Sequence, residues 1–148
     1  MAGADFRDSL AAQAGLLVEL MTSVLEPELR AAGISLSTFD LLSAVQASGS
    51  ATQADVARRL GVTPPTLSES VRAAVQRGLL EQLADAADAR LKRLRLTAEG
   101  ERVLRLVLAG VARAEESMLR GLDDEDVATA REVLRLAIRN LARSLQSR

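Results

Sequence analysis

The sequence predicts a mainly α-helical chain with one small β-hairpin (α+β), in which a central module is flanked by long helices at both ends. Three observations carry this. Nearly half of the residues are hydrophobic, yet Phe6 and Phe39 are the only aromatic ones, so the core must be built from Leu, Val and Ala, which favours packed helices over sheets. Apolar residues recur at helical spacing along most of the chain. Beyond Gly78 the period changes: LLEQLA, DAADAR and LKRLRLT read as two strands around a polar loop.

Its 148 residues suffice for one domain, or one domain with an oligomerisation arm. The expected parts are an N-terminal helical region, 1–34, a central module, 35–97, and C-terminal helices, 98–148, together one intertwined unit. In the first, Leu10, Ala14, Leu17, Val18, Met21 and Leu25 mark a helix from about Asp5 to Ala32. Pro27 lies inside the pattern, where it removes a backbone donor and clashes with the preceding turn. A kink or break near Glu26 follows, or termination there. Gly33 to Ser37 reads as a loop, with Ser35 or Ser37 capping a helix that contains Phe39, Leu41, Leu42 and Val45 and ends before Gly49.

The stretch TQADVARRLG begins with Thr52 as N-cap and Asp55 at the third helical position, and places Ala54, Val56, Ala57 and Leu60 on a face that can be buried. Gly61 ends it, since glycine takes the left-handed conformation freely. In VTPPTLSESVRAAVQRG, Thr63 caps a second helix and Pro64 fills its first position, losing only a donor that has no helical partner. Leu67, Val71, Ala74 and Val75 form its buried stripe. The opposite face carries Thr66, Ser68, Glu69, Arg72, Ala73 and Gln76, a polar ridge led by small residues of the kind that suits a major groove.

After the hairpin, Thr97 caps a long helix with Glu99 and Glu101 in its first turn and Val103, Leu104, Val107, Leu108, Val111, Met118 and Leu119 on its apolar face. Gly110 sits inside it at some cost. In GLDDEDVATA, Gly121 stops one helix, Leu122 can staple the next and Asp123 caps it, with three more acids in its first turn. The last helix is expected to turn Val127, Val133, Leu134, Ala137, Ile138, Leu141 and Leu145 inward. Arg131, Arg135, Arg139 and Arg143 repeat every four residues on another face, read as a solvated row paired with acids in preference to a phosphate track.

Charge is unevenly placed. The formal net charge is −1, but the segments 1–49, 50–95 and 96–148 carry −4, +3 and 0, so the positive excess falls on the central module. With neither cysteine nor histidine, disulfides, thiolate chemistry, Cys/His zinc sites and Ser-His or Cys-His nucleophile pairs are excluded. The acids at Glu115–Glu116 and Asp123–Asp126 read as helix-end charge and capping, and no phosphate loop or catalytic constellation is present. The chain is therefore expected to be no enzyme, with no cofactor and no metal. No apolar run reaches bilayer length, and MAGADFRDSL lacks the positive start of a signal peptide; a cytoplasmic protein away from the membrane is expected.

The order helix, turn, helix, GLL, charged loop and L-x-L-T-x-x-G resembles the winged helix-turn-helix of the MarR family of bacterial transcription regulators, over nearly the whole chain. Its most specific part is Asp88-x-Arg90 followed by Leu94-x-Leu96-Thr97-x-x-Gly100, which looks like the family's wing and the entry to the next helix. The resemblance aligns Thr66, Ser68, Glu69 and Arg72 with the exposed face of the recognition helix, Arg90 with the wing-tip arginine that enters the minor groove, and Asp88 with the acid that orients that tip. The expected DNA-contacting set is Thr52, Gln53, Pro65, Thr66, Ser68, Glu69, Arg72, Arg77, Arg90 and Lys92. The chain departs from the family at Glu69, where a basic or neutral reader is common, and at Ala73, where a phosphate-binding arginine is usual. Glu69 either accepts from a cytosine amine or pairs with Arg72 or Arg77, and pairing is the preferred reading.

The resemblance implies a homodimer, which the long apolar terminal helices imply independently. It further implies a repressor of a pseudo-palindromic double-stranded DNA operator, with a small-molecule effector bound where dimer helices meet the DNA module, here near Leu17, Met21, Phe39 and Val107. The alternative is a helical protein-interaction module that keeps the winged shape without specific DNA binding.

Overall fold

The computed structural model describes residues 6–49, 51–85, 88 and 91–146. A 3-10 turn at Phe6–Asp8 leads to α1 (Leu10–Ala32), α2 (Leu36–Ser48), β1 (Ala51–Thr52), α3 (Gln53–Leu60), α4 (Pro64–Gln76), β2 (Leu80–Ala84), β3 (Lys92–Leu96), α5 (Ala98–Met118) and α6 (Asp124–Gln146). The strands form one antiparallel sheet in the order β1-β3-β2, with Ala51 opposite Leu94 and Leu80 opposite Leu96. The hairpin was expected; the two-residue β1, which makes β3 the central strand, was not. The chain falls into two units, residues 1–114 and 115–148, with the boundary inside α5.

In the first unit, α1 begins at Ser9, whose hydroxyl accepts from the Ala12 amide, and runs unbroken through Pro27 to Ala32. The expected break near Glu26 is thus corrected. Leu25 and Leu29, on either side of the proline, are both buried in the core. Each buried leucine contributes about 1.5–3 kcal/mol, which offsets the roughly 3 kcal/mol cost of a proline in a helix interior. The helix ends two turns later in a left-handed Gly33: its amide donates to Arg30 O, the Ile34 amide donates to Leu29 O, and Ile34 and Leu29 are both buried beside the cap. Ser35, not Ser37, caps α2.

The core gathers Leu25 and Leu29 of α1, Leu41, Leu42 and Val45 of α2, Val56 of α3, Leu67 and Val71 of α4, Leu80 and Leu94 of the sheet, and Val103, Leu104 and Val107 of α5. It contains no aromatic side chain among its fully buried members; Phe39 packs against its edge. Ala54, Val75, Leu108 and Met118 were expected on buried faces and are exposed.

Two glycines mark where elements touch. A Cβ at Gly100 would lie 2.0 Å from the Leu79 carbonyl oxygen, so the first turn of α5 can pack on the GLL segment only with glycine there. At Gly110 a Cβ would lie 2.5 Å from Glu28 Cγ, which explains the glycine inside α5 by its close approach to α1. Glu28 reaches past it to Arg113 at 2.8 Å.

In the second unit Asp123 caps α6, its carboxylate accepting from the Asp126 amide at 2.8 Å, and Arg131 pairs with Glu115 at 3.5 Å. The apolar residues expected to face inward do not. Val133, Leu134, Ile138, Leu141 and Leu145 are exposed, Leu145 to 72%. No described helix is long and apolar enough to cross a membrane.

Candidate nucleic-acid interface

The two helices of the central module are fixed by local chemistry at every end. Thr52 and Asp55 form a reciprocal capping box: the Asp55 amide donates to Thr52 Oγ1 at 3.2 Å, and Asp55 Oδ2 accepts from the Thr52 amide and hydroxyl at 3.2 and 2.7 Å. Those bonds, followed by the charge of the neighbouring Arg58, hold the Asp55 carboxyl below the usual carboxylate range. Gly61, at φ 65°, ends α3. Thr63 then caps α4 through the Thr66 amide, with Pro64 at the first position.

This anchoring aims one face of α4 outward. Leu67, Val71 and Ala74 are buried at 2% exposure or less, and Pro65, Thr66, Ser68, Glu69, Arg72 and Ala73 are all exposed on the other side. Small side chains at Ser68 and Ala73 leave the helix backbone able to approach a base edge, and Arg72 supplies a reaching donor. Glu69 makes no ion pair among the described residues, which corrects the expectation that it pairs with Arg72 or Arg77. Arg77 is used elsewhere: its guanidinium donates to the Gly33 carbonyl at 2.5 Å. Thr52, expected at the interface, has its hydroxyl committed to the capping box, and Gln53 beside it is half-buried.

The sheet arranges the second surface. On β3, Leu94 faces the core, so Arg93 and Arg95 share the opposite face with Glu81, Leu83 and Asp85. Arg95 pairs with Glu81 at 2.6 Å and Arg93 pairs with Asp85. Both arginines are thereby matched to acids of β2 and its end, while Lys92 is exposed and takes part in no ion pair among the described residues. Asp88 donates its amide to Asp85 Oδ1 at 3.1 Å and accepts at its carbonyl from the Leu91 amide at 2.9 Å. Arg90, expected at the wing tip, lies outside the described residues.

The expected effector residues lie at different depths. Val107 is fully buried in the core, Phe39 packs at its edge, Met21 is half-buried and Leu17 is 40% exposed. Crevices of about 390 and 450 Å³ lie instead beside Ser23, Pro27 and Arg30, and between Pro27, Ala31, Leu106 and Arg113. A smaller one, about 130 Å³, lies between α2 and the start of α4, lined by Ser37, Asp40, Leu60, Val62, Thr66 and Ser70. Partial desolvation in this crevice pushes the Asp40 carboxyl above its ordinary value.

Sequence reasoning missed Asp85, Arg93 and the Arg77–Gly33 bond. Alternation along LKRLRLT placed Arg93 on a strand, but its partner depends on register, which no local pattern supplied.

Comparisons agree with this fold. The family model described as MarR family matches residues 32–91, the span from the end of α1 into the wing. No curated protein matches the chain in sequence. Among solved structures, MepR of S. aureus in a complex with DNA is 20% identical, with a TM-score of 0.81 over 93% of this chain and 99% of that one. A mutant MarR from E. coli complexed with operator DNA is 19% identical, with a TM-score of 0.75 over 90% and 99%. The PcaV transcriptional regulator from Streptomyces coelicolor, in complex with its natural ligand, is 26% identical, with a TM-score of 0.73 over 93% and 97%.

Proposed function

We propose that the chain, which a MarR family model matches over residues 32–91, works as a homodimeric repressor, reading a pseudo-palindromic DNA operator and released from it by a small molecule. The observation that carries the DNA reading is the exposed, small-residue face of α4, held by buried Leu67, Val71 and Ala74 and capped rigidly at Thr63. Thr66, Ser68 and Arg72 face base edges in the major groove, while Lys92 and Arg90 of the wing meet the backbone and the minor groove. Thr52, Gln53, Pro65, Glu69 and Arg77 lie around this surface and complete the set. Asp88 orients the wing.

Dimerisation is supported by the apolar residues left uncovered on the terminal helices. Leu10, Leu141 and Leu145 are each two-thirds or more exposed, and such faces on α1 and α6 are stable in water only when a second copy covers them. The two recognition helices then meet successive major grooves when roughly 34–36 Å apart. The effector acts by preferring one head spacing, at a site near Leu17, Met21, Phe39 and Val107 completed by the dimer. PcaV was solved with its natural ligand, which supports a ligand-responsive reading here.

Titration of the DNA upstream of the chain's own gene, at several salt concentrations, tests the proposal. Specific binding that weakens steeply with salt is expected. Binding that ignores DNA sequence, or none at all, would favour a protein-interaction module instead.

A further inference from the structure

Asp85 is the one buried charged side chain among the described residues, 8% exposed, at the point where β2 ends and the wing turn begins. A carboxylate so placed persists only when its oxygens are partnered. One oxygen accepts from the Asp88 amide at 3.1 Å and the other from the Arg93 guanidinium, while the Asp85 amide itself donates to Leu91 O at 3.0 Å. A single residue thus ties together the end of β2, the middle of the turn and the central strand. Arg93 is fixed in turn by pairing opposite Leu83 on one side and Thr52 on the other.

We propose that Asp85 is the positioning residue of the wing, acting through Arg93 and the Asp88 amide to hold the hairpin in the conformation that contacts DNA. The inference rests on the reading of the wing as a DNA-contacting element. It assigns to a buried acid the work that the exposed Asp88 was expected to do alone. It also gives Arg93 a role inside the protein and leaves Lys92 and Arg90 as the wing's cations toward DNA.

Sign makes the proposal testable. Asp85→Asn removes a negative charge close to DNA, so if charge alone mattered the variant would bind more tightly. A positioning role gives the opposite result. Asparagine keeps an oxygen for the Asp88 amide and the same shape, but loses the ion pair, so the fold survives and the wing loosens. Operator affinity, thermal midpoint and amide hydrogen exchange should be measured for Asp85→Asn, Arg90→Ala and the double variant.

The expected result is a fall in operator affinity of about tenfold for Asp85→Asn, with little further loss when Arg90→Ala is added, since both act through one contact. Exchange at the Asp88 and Leu91 amides should accelerate about tenfold or more, with Val71 in the core unchanged. Unchanged or tighter operator binding by Asp85→Asn, beside a clear loss for Arg90→Ala, would overturn the proposal; so would fully additive losses. If Arg90→Ala itself has no effect, the reading of the wing as a DNA contact fails, and exchange at Asp88 and Leu91 alone then decides whether Asp85 holds the hairpin.

Discussion

Arg77, just past the end of α4, donates from its guanidinium to the carbonyl of Gly33, the left-handed residue that closes α1, at 2.5 Å. The bond spans 44 residues of sequence and joins the end of α4 to the end of the N-terminal helix. It satisfies a carbonyl that the helix cap leaves outside its own hydrogen bonds. Arg77→Ala should therefore cost stability, about 1 kcal/mol for an exposed charged hydrogen bond, and reduce DNA affinity equally for every operator variant. Denaturant unfolding alongside binding to an operator panel checks this. Loss confined to certain base positions would show that Arg77 also reads bases directly.

Arg72 should behave differently. It is exposed on the outward face of α4 and takes part in no ion pair among the described residues. Arg72→Ala should leave the thermal midpoint unchanged and alter preference among operator variants by about 1–3 kcal/mol at the base it reads. A uniform loss across the panel, with a reduced salt slope, would show that it contacts phosphate only.

The two close glycines separate backbone clash from side-chain clash. Gly100→Ala puts a methyl group 2.0 Å from the Leu79 carbonyl, a backbone atom that cannot turn aside, so destabilisation of about 3 kcal/mol or more is expected. Gly110→Ala meets Glu28 Cγ at 2.5 Å, Cδ at 3.1 Å and Cβ at 3.3 Å, side-chain atoms that must shift, and this is partly offset by roughly 1 kcal/mol of helix propensity. Its net cost should be smaller than that of Gly100→Ala. Urea unfolding of both variants makes the comparison, and equal costs would contradict the assigned contacts.

Two acids should give opposite pH signatures. The Asp55 carboxyl is held low by Thr52 and Arg58, so its contribution is present above the ordinary carboxylate value of 3.8 and is lost as the pH falls through its lower folded-state value. Asp40 is raised by burial, so ionising it costs the folded state stability as the pH rises above 3.8 through its folded-state value, and that cost persists at neutral pH. Asp40→Asn should then stabilise the protein at pH 7 and have no effect in acid. Thr52→Ala should cost about 1 kcal/mol at pH 7 through the lost cap, and less once Asp55 is protonated. Unfolding series from pH 2 to 7 would reveal either sign as wrong.

Effector coupling sets a further measurable relation. A ligand that lowers DNA affinity tenfold must itself bind about tenfold more weakly to the DNA-bound protein, a coupling of about 1.4 kcal/mol. Calorimetric titration with and without operator tests each compound, and identical affinities would remove it as an effector. With no cysteine in the chain, peroxide should not act through thiol oxidation.

Much of this molecule was legible in its sequence because the signals were local. Thr52 with Asp55, Gly61, Thr63 with Pro64, and Asp123 act within one helical turn of themselves, and each cap was found where its residues place it. The outward face of α4 followed from periodicity alone. Tertiary structure decided the rest, for reasons that distance in sequence hides. Pro27 does not stop α1 because Leu25 and Leu29 are buried on both sides of it, and that burial depends on α2 and α5. Asp85 meets Arg93 only through the strand register, and Gly100 is required only because Leu79 lies against it. The apolar face of α6 was readable as apolar, but whether its own chain would cover it was not, since burial belongs to the assembled fold and not to the stripe.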